Sequence, residues 1–103
     1  MVVRIWHGRT ALEDGDAYAA FLRERAIPDY NSVEGLRLVE VLRRDEGEVS
    51  HFLTVTHWEH EDAIRAFAGD DVLNAKYYPE DDRFLLEKEP HVLHFVVEGR
   101  HEP

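Results

Sequence analysis

The sequence predicts an α+β protein of the ferredoxin-like class, with element order βαββαβ, a four-stranded antiparallel sheet and both helices on one face. Three observations carry this. Residues 2–9, 36–43, 49–58 and 91–97 are runs rich in β-branched and aromatic residues. Two intervening stretches place apolar residues at helical spacing. Gly47 falls between the middle two runs, where a hairpin needs a turn residue.

In the first strand Val3, Ile5 and His7 share one face, and Val2, Arg4 and Trp6 the other. Asp14 or Asp16 is expected to cap the first helix, which points Tyr18, Phe21 and Leu22 at the core. Pro28 is expected to end it, because proline disfavours helical geometry at Ile27 and has no N–H to donate. After a polar connection from Asp29 to Gly35, Leu36–Arg43 alternates as the second strand and Val49–Trp58 returns as the third. Glu59, Glu61 and Asp62 suit the positive end of a second helix, Ile64 and Phe67 face inward, and Gly69 closes it. Asp70 or Asp71 is expected to cap a short turn through Leu73 and Tyr77 that Pro79 stops. Glu80–Asp82 reads as loop, and His91–Val97 as the last strand. The sheet face away from the helices keeps apolar groups, Trp6 among them, and no element is left to cover it. A second copy of the chain is the expected cover.

The chain has 103 residues and reads as one domain over residues 1–103. A chain of this size buries roughly two-thirds of the surface its unfolded form exposes, so its own core is modest. With 12 Lys and Arg against 22 Asp and Glu, the formal charge of -10 repels phosphate backbones and anionic lipid, which argues against nucleic acid and membrane surfaces as partners. Without cysteine there is no disulfide, thiolate metal site or thiol nucleophile. Arg4 interrupts the first apolar run and no run reaches membrane-spanning length, so a cytoplasmic protein is expected.

The segments WEHEDAIRAFAGDD and YYPEDD, together with the opening strand, resemble the antibiotic-biosynthesis-monooxygenase superfamily of dimeric α/β barrels, over nearly the whole chain. The resemblance implies a homodimer with a pocket in each subunit between sheet and helices. It spans cofactor-independent quinol oxygenases, haem-degrading oxygenases and proteins without assigned activity, so fold alone does not fix function. The quinol-oxidising members' Asn, Trp and Tyr fall here at Thr54, Trp58 and Ile64, and only the tryptophan matches. The haem-degrading members' Asn, Trp and His fall at His7, Phe67 and Tyr77, and none matches. Without a histidine at Tyr77 the usual axial ligand is missing, which disfavours haem degradation.

Three residues are candidates for catalysis. His7 is placed to take a phenolic proton near neutral pH if its strand face lines the pocket. Trp58 and Tyr77 are candidate donors to a substrate oxygen. Thr54, Phe67 and His94 are expected to line the substrate site. Each has an ordinary structural reading beside the functional one: Trp58 as core, His7 as a hydrogen-bonded strand residue, Tyr77 and Tyr78 as packing groups with a wet hydroxyl. His57 with His60 straddles a strand-to-helix junction, and His91 with His94 points to opposite strand faces, so no metal site is expected. The leading expectation is a cofactor-free monooxygenase for a small aromatic, quinol-like molecule, with no cofactor. The alternative is a non-catalytic small-molecule-binding or stress-related module of the same fold.

Overall fold

The computed structural model describes residues 1–103. Its strands are β1 (Val2–Ala11), β2 (Leu36–Glu46), β3 (Val49–Trp58) and β4 (Leu93–Val96), in sheet order β2-β3-β1-β4 with every pairing antiparallel. β1 and β3 pair from Val2–Trp58 to Ala11–Val49, which sets Trp6 beside Thr54 and His7 beside Leu53. Gly47, at φ 60°, makes the β2–β3 turn as its sequence position requires.

The first helical region is longer than the sequence suggests. A 3₁₀ turn at Leu12–Asp14 leads into α1 (Gly15–Phe21), a π-helical turn (Leu22–Ala26) and α2 (Ile27–Asn31). Pro28 does not end the helix. It lies in the first turn of α2, directly after the π turn, where the wider backbone leaves room for its ring and no N–H is missed. Neither Asp14 nor Asp16 caps α1; the Asp16 carboxylate instead accepts from Arg43 at 2.7 Å.

The second helix, α3 (Glu61–Ala68), buries Ile64 and Phe67, and Gly69 stops it at φ 91°. Its cap is His60, whose Nδ1 accepts the Ala63 N–H at 3.3 Å. Asp71 caps the expected short turn, its Oδ1 accepting the Leu73 N–H at 3.3 Å and its carbonyl the Asn74 N–H at 3.1 Å, but the turn ends there and the segment towards Tyr77 is not helical. That segment runs extended beside the chain before β4, with Ala75 N–H donating to the Pro90 carbonyl at 2.9 Å and Val92 N–H to Leu73 at 2.8 Å. Helix appears instead at α4 (Asp81–Phe84), inside the region read as loop, because the Asp81 carboxylate accepts the Tyr78 N–H at 2.7 Å and closes a turn there.

All helices lie on one sheet face. That face is built by Arg4, Trp6, Gly8 and Thr10 of β1 and by Ser50, Phe52, Thr54, Thr56 and Trp58 of β3. Trp6 is therefore core and not part of the uncovered face, a correction to the sequence reading. The uncovered face carries Leu38, Leu42, Leu53, Val55, Leu93 and Phe95, and at its edge Leu93 is 62% and Phe95 50% exposed.

Candidate functional site

Where the helices cross the sheet, Trp6, Tyr18, Tyr30, Thr54, Phe67 and Tyr78 surround a cavity that Lys76 and Asp81 complete. Its volume is about 20 Å³, about the room of one water. The walls are aromatic rings in mutual contact: Tyr30 stacks on Phe67 at 4.2 Å between centroids, and Tyr18 meets Phe52 edge-on at 5.1 Å. β1 and β3 supply the floor, α1 through α2 one wall, and the segment from Lys76 to α4 the other.

Polar atoms around the cavity are mostly committed to one another. Tyr30 and Thr54 hydroxyls are 3.3 Å apart. Tyr78 OH at 2.5 Å and Lys76 Nζ at 2.9 Å both donate to Asp29. Burial pushes the Asp29 carboxyl up, and those two hydrogen bonds outweigh it and hold it below the ordinary value. The exception is Trp6, whose buried indole N–H donates to nothing. The Tyr77 hydroxyl lies near enough for that N–H to favour its ionisation, but outside hydrogen-bond geometry, and it donates its own hydrogen to the Glu89 carbonyl at 2.5 Å. An unpaired buried donor costs on the order of 1–3 kcal/mol, so a ligand oxygen that accepts from it would be bound favourably. Gly8 leaves the indole its place: a side chain there would run into the Trp6 ring.

The sequence-predicted residues divide among three places. Thr54 and Phe67 line the cavity. Trp58 lies behind it, fully buried, and its N–H donates to Thr56 Oγ1 at 2.8 Å, so the donor assigned to a substrate is already used. Tyr77 packs edge-on against Trp6 at 6.2 Å without lining the cavity.

His7 is on the wrong side of the sheet. Strand parity sends it to the uncovered face, where its Nδ1 meets Glu89 Oε2 at 2.5 Å and its Nε2 meets His51 Nδ1 at 3.1 Å. The two rings stack beside a groove of about 340 Å³ lined with Leu42, Arg44 and Leu53. A base at His7 cannot reach a molecule among the helices.

His94 faces the helices but belongs to a separate groove with Glu61, Asp70 and Asp71. Its Nε2 is 3.1 Å from Arg4 Nη1, and burial together with the Arg4 charge lowers its pKa, so the neutral ring accepts from the guanidinium. The sign follows: as pH falls below 6.5 the unfolded chain takes this proton before the folded one, and stability falls. His94→Gln is expected to lose less melting temperature than the wild type between pH 7.5 and 5.5, read by calorimetry.

The residues that sequence reasoning missed are Trp6, Tyr18, Tyr30, Lys76 and Asp81. Helical spacing flagged Tyr18 as core, but nothing in the sequence showed that Asp81 turns inward.

A comparison with solved structures gives the same architecture throughout. A candidate antibiotic biosynthesis monooxygenase from Bacillus cereus matches with a TM-score of 0.66 at 13% identity, covering 99% of this chain and 95% of that one. The fold is that of the antibiotic biosynthesis monooxygenases. With this fold, the ActVA-Orf6 monooxygenase of Streptomyces coelicolor, in complex with nanaomycin D, matches with a TM-score of 0.64 at 13% identity, covering 99% and 91%. The haem degrader MhuD of Mycobacterium tuberculosis, with two haems bound in its active site, matches with a TM-score of 0.65 at 24% identity, covering 99% and 100%. No protein-family model and no curated protein matches the sequence. At these identities the antibiotic biosynthesis monooxygenase likeness is one of fold. No helix is long and apolar enough to cross a membrane.

Proposed function

We propose that this chain is one subunit of a homodimer whose sheet–helix cavity binds a small phenolic, quinol-like molecule and oxygenates it without a cofactor. The observation that carries the reading is the unpaired indole N–H of Trp6, a residue that lines a cavity walled largely by aromatic rings. A phenol oxygen accepting from it would satisfy the donor while the ring packs among Tyr18, Tyr30 and Phe67. Ionised, such a phenol is electron-rich enough at its ring carbon to reduce dioxygen directly. One oxygen atom replaces a ring C–H as a carbonyl, the other leaves as water, and the phenol becomes a quinone; dioxygen takes all four electrons from the substrate.

The second copy is argued from the uncovered face. Three strands of about 35 Å and a fourth of about 14 Å, about 4.8 Å apart, present roughly 570 Å², somewhat less than the roughly 800 Å² that one partner buries in a standard complex. On this face Arg9 pairs with Glu87 and Arg44 with Glu46, so those charges offset each other within an otherwise acidic chain, which suits self-association better than a strongly charged partner.

The cavity volume favours a second reading, a binding or purely structural module. At about 20 Å³ the site has the room of about one water and takes an aromatic ring only after its walls move apart. Calorimetric titration with 1-naphthol separates a ligand site from a purely structural core. The expected result is saturable binding that weakens about tenfold in Trp6→Phe, in which removal of the unsatisfied donor offsets part of the stability lost with the smaller ring. Equal affinity in both proteins would overturn the role of Trp6. Hemin is a further ligand to titrate, given the haem-binding neighbours. Burial raises the Tyr77 pKa, which opposes phenolate ligation of iron, and no saturable Soret change is expected.

A further inference from the structure

We propose that Asp81 is the proton-accepting group of the cavity and that the site thereby selects a hydroxyl-bearing aromatic over the corresponding ether. This rests on the reading of the cavity as an aromatic-ligand site. Asp81 is the single acidic residue among those lining it and is 2% exposed. Its position is fixed from two sides: Tyr18 OH donates to Oδ1 at 2.9 Å and Tyr78 N–H to Oδ2 at 2.7 Å. Each carboxylate oxygen keeps a further lone pair for a ligand.

The groups around Asp81 leave the proton to it. Lys76, the cation at the same cavity, is held by Asp29 and does not neutralise Asp81. Burial raises the Tyr18 pKa far above its ordinary range, and Asp81 raises it further, so Tyr18 stays a donor and does not compete as a base. Burial likewise raises the Asp81 pKa above the usual carboxylate range, which makes it a better match to a phenol than an exposed carboxylate. Trp6 offers an N–H with no acceptor. A hydroxyl can both accept, as the Trp6 N–H requires, and donate, as Asp81 requires; an ether can only accept. In the transfer the phenol O–H bond breaks, its proton forms an O–H bond on Asp81, and the electron pair stays on the phenolate.

The test titrates 1-naphthol and 1-methoxynaphthalene into wild type and Asp81→Asn between pH 5 and 8. The proposal expects the wild type to bind the naphthol at least tenfold more tightly than the ether. That preference should weaken as the pH falls and Asp81 takes up its proton, and it should be small at every pH in Asp81→Asn. Tyr18→Phe, which leaves the carboxylate in place, should retain it. Naphthol and ether bound equally by the wild type would overturn the role of Asp81 while leaving the cavity reading intact. Neither bound would overturn both.

Discussion

Arg4→Ala is expected to lower the unfolding free energy by about 3–5 kcal/mol, the loss of two charge-assisted hydrogen bonds and a buried aliphatic stem. At about 4–8 °C per kcal/mol the melting temperature should fall by more than about 12 °C, measured by calorimetry at neutral pH. The Arg4 side chain is 2% exposed and lies 5.9 Å from the Phe67 ring centroid. Its guanidinium donates to the carbonyls of Val72 and, at 2.8 Å, Asn74. Those carbonyls belong to the segment that goes on to Lys76, Tyr77 and Tyr78, so Arg4 ties one cavity wall to the sheet. Arg4→Met keeps much of the stem and should lose less. In either variant the naphthol affinity should change with the stability, because the wall is no longer fixed.

Phe95→Asp is expected to convert the proposed homodimer to monomer. In a two-fold assembly the substitution places a charge at the interface from each copy, and burying unpaired charges there costs several kcal/mol. The dissociation constant should rise by at least about 100-fold, read by sedimentation at micromolar protein, with the monomer still folded by circular dichroism. Phe95 pairs across the sheet with Val3 on the uncovered face, next to the exposed Leu93–Ile5 pair, and supports no helix. A wild type that sediments as a monomer would remove the assembly from the account.

The element order was legible because it depends on periodicity, and the alternation of β1 and β3 was read correctly residue by residue. What alternation alone does not say is which face turns towards the helices. In β1 the reading of His7 as a base requires the face with Val3 and Ile5 to line the pocket. The structure reverses this because Arg4 is buried on backbone carbonyls, partners that no sequence pattern displays. The same reversal moves Trp6 from the presumed interface to the cavity.

Asp81 escaped notice for a related reason. In YYPEDD it is one of three acidic residues in four positions, and acidic runs usually mark a solvated surface. Only its hydrogen bonds to Tyr18 and the Tyr78 backbone, the first contact 63 residues away in sequence, single it out. Trp58 shows the opposite case. Its position at a strand end suggested a donor to substrate, while the neighbouring Thr56 on the same strand face already accepts its N–H.

The most direct measurement is oxygen uptake by metal-free protein with 1-naphthol under ¹⁸O₂, with the product identified by mass spectrometry. Wild type is expected to consume one dioxygen per quinone formed and to place one labelled oxygen in it, at a rate that drops in Asp81→Asn. The label in water accounts for the other atom. Naphthol that binds saturably without oxygen uptake above the protein-free blank would contradict the oxygenase account and leave a binding module.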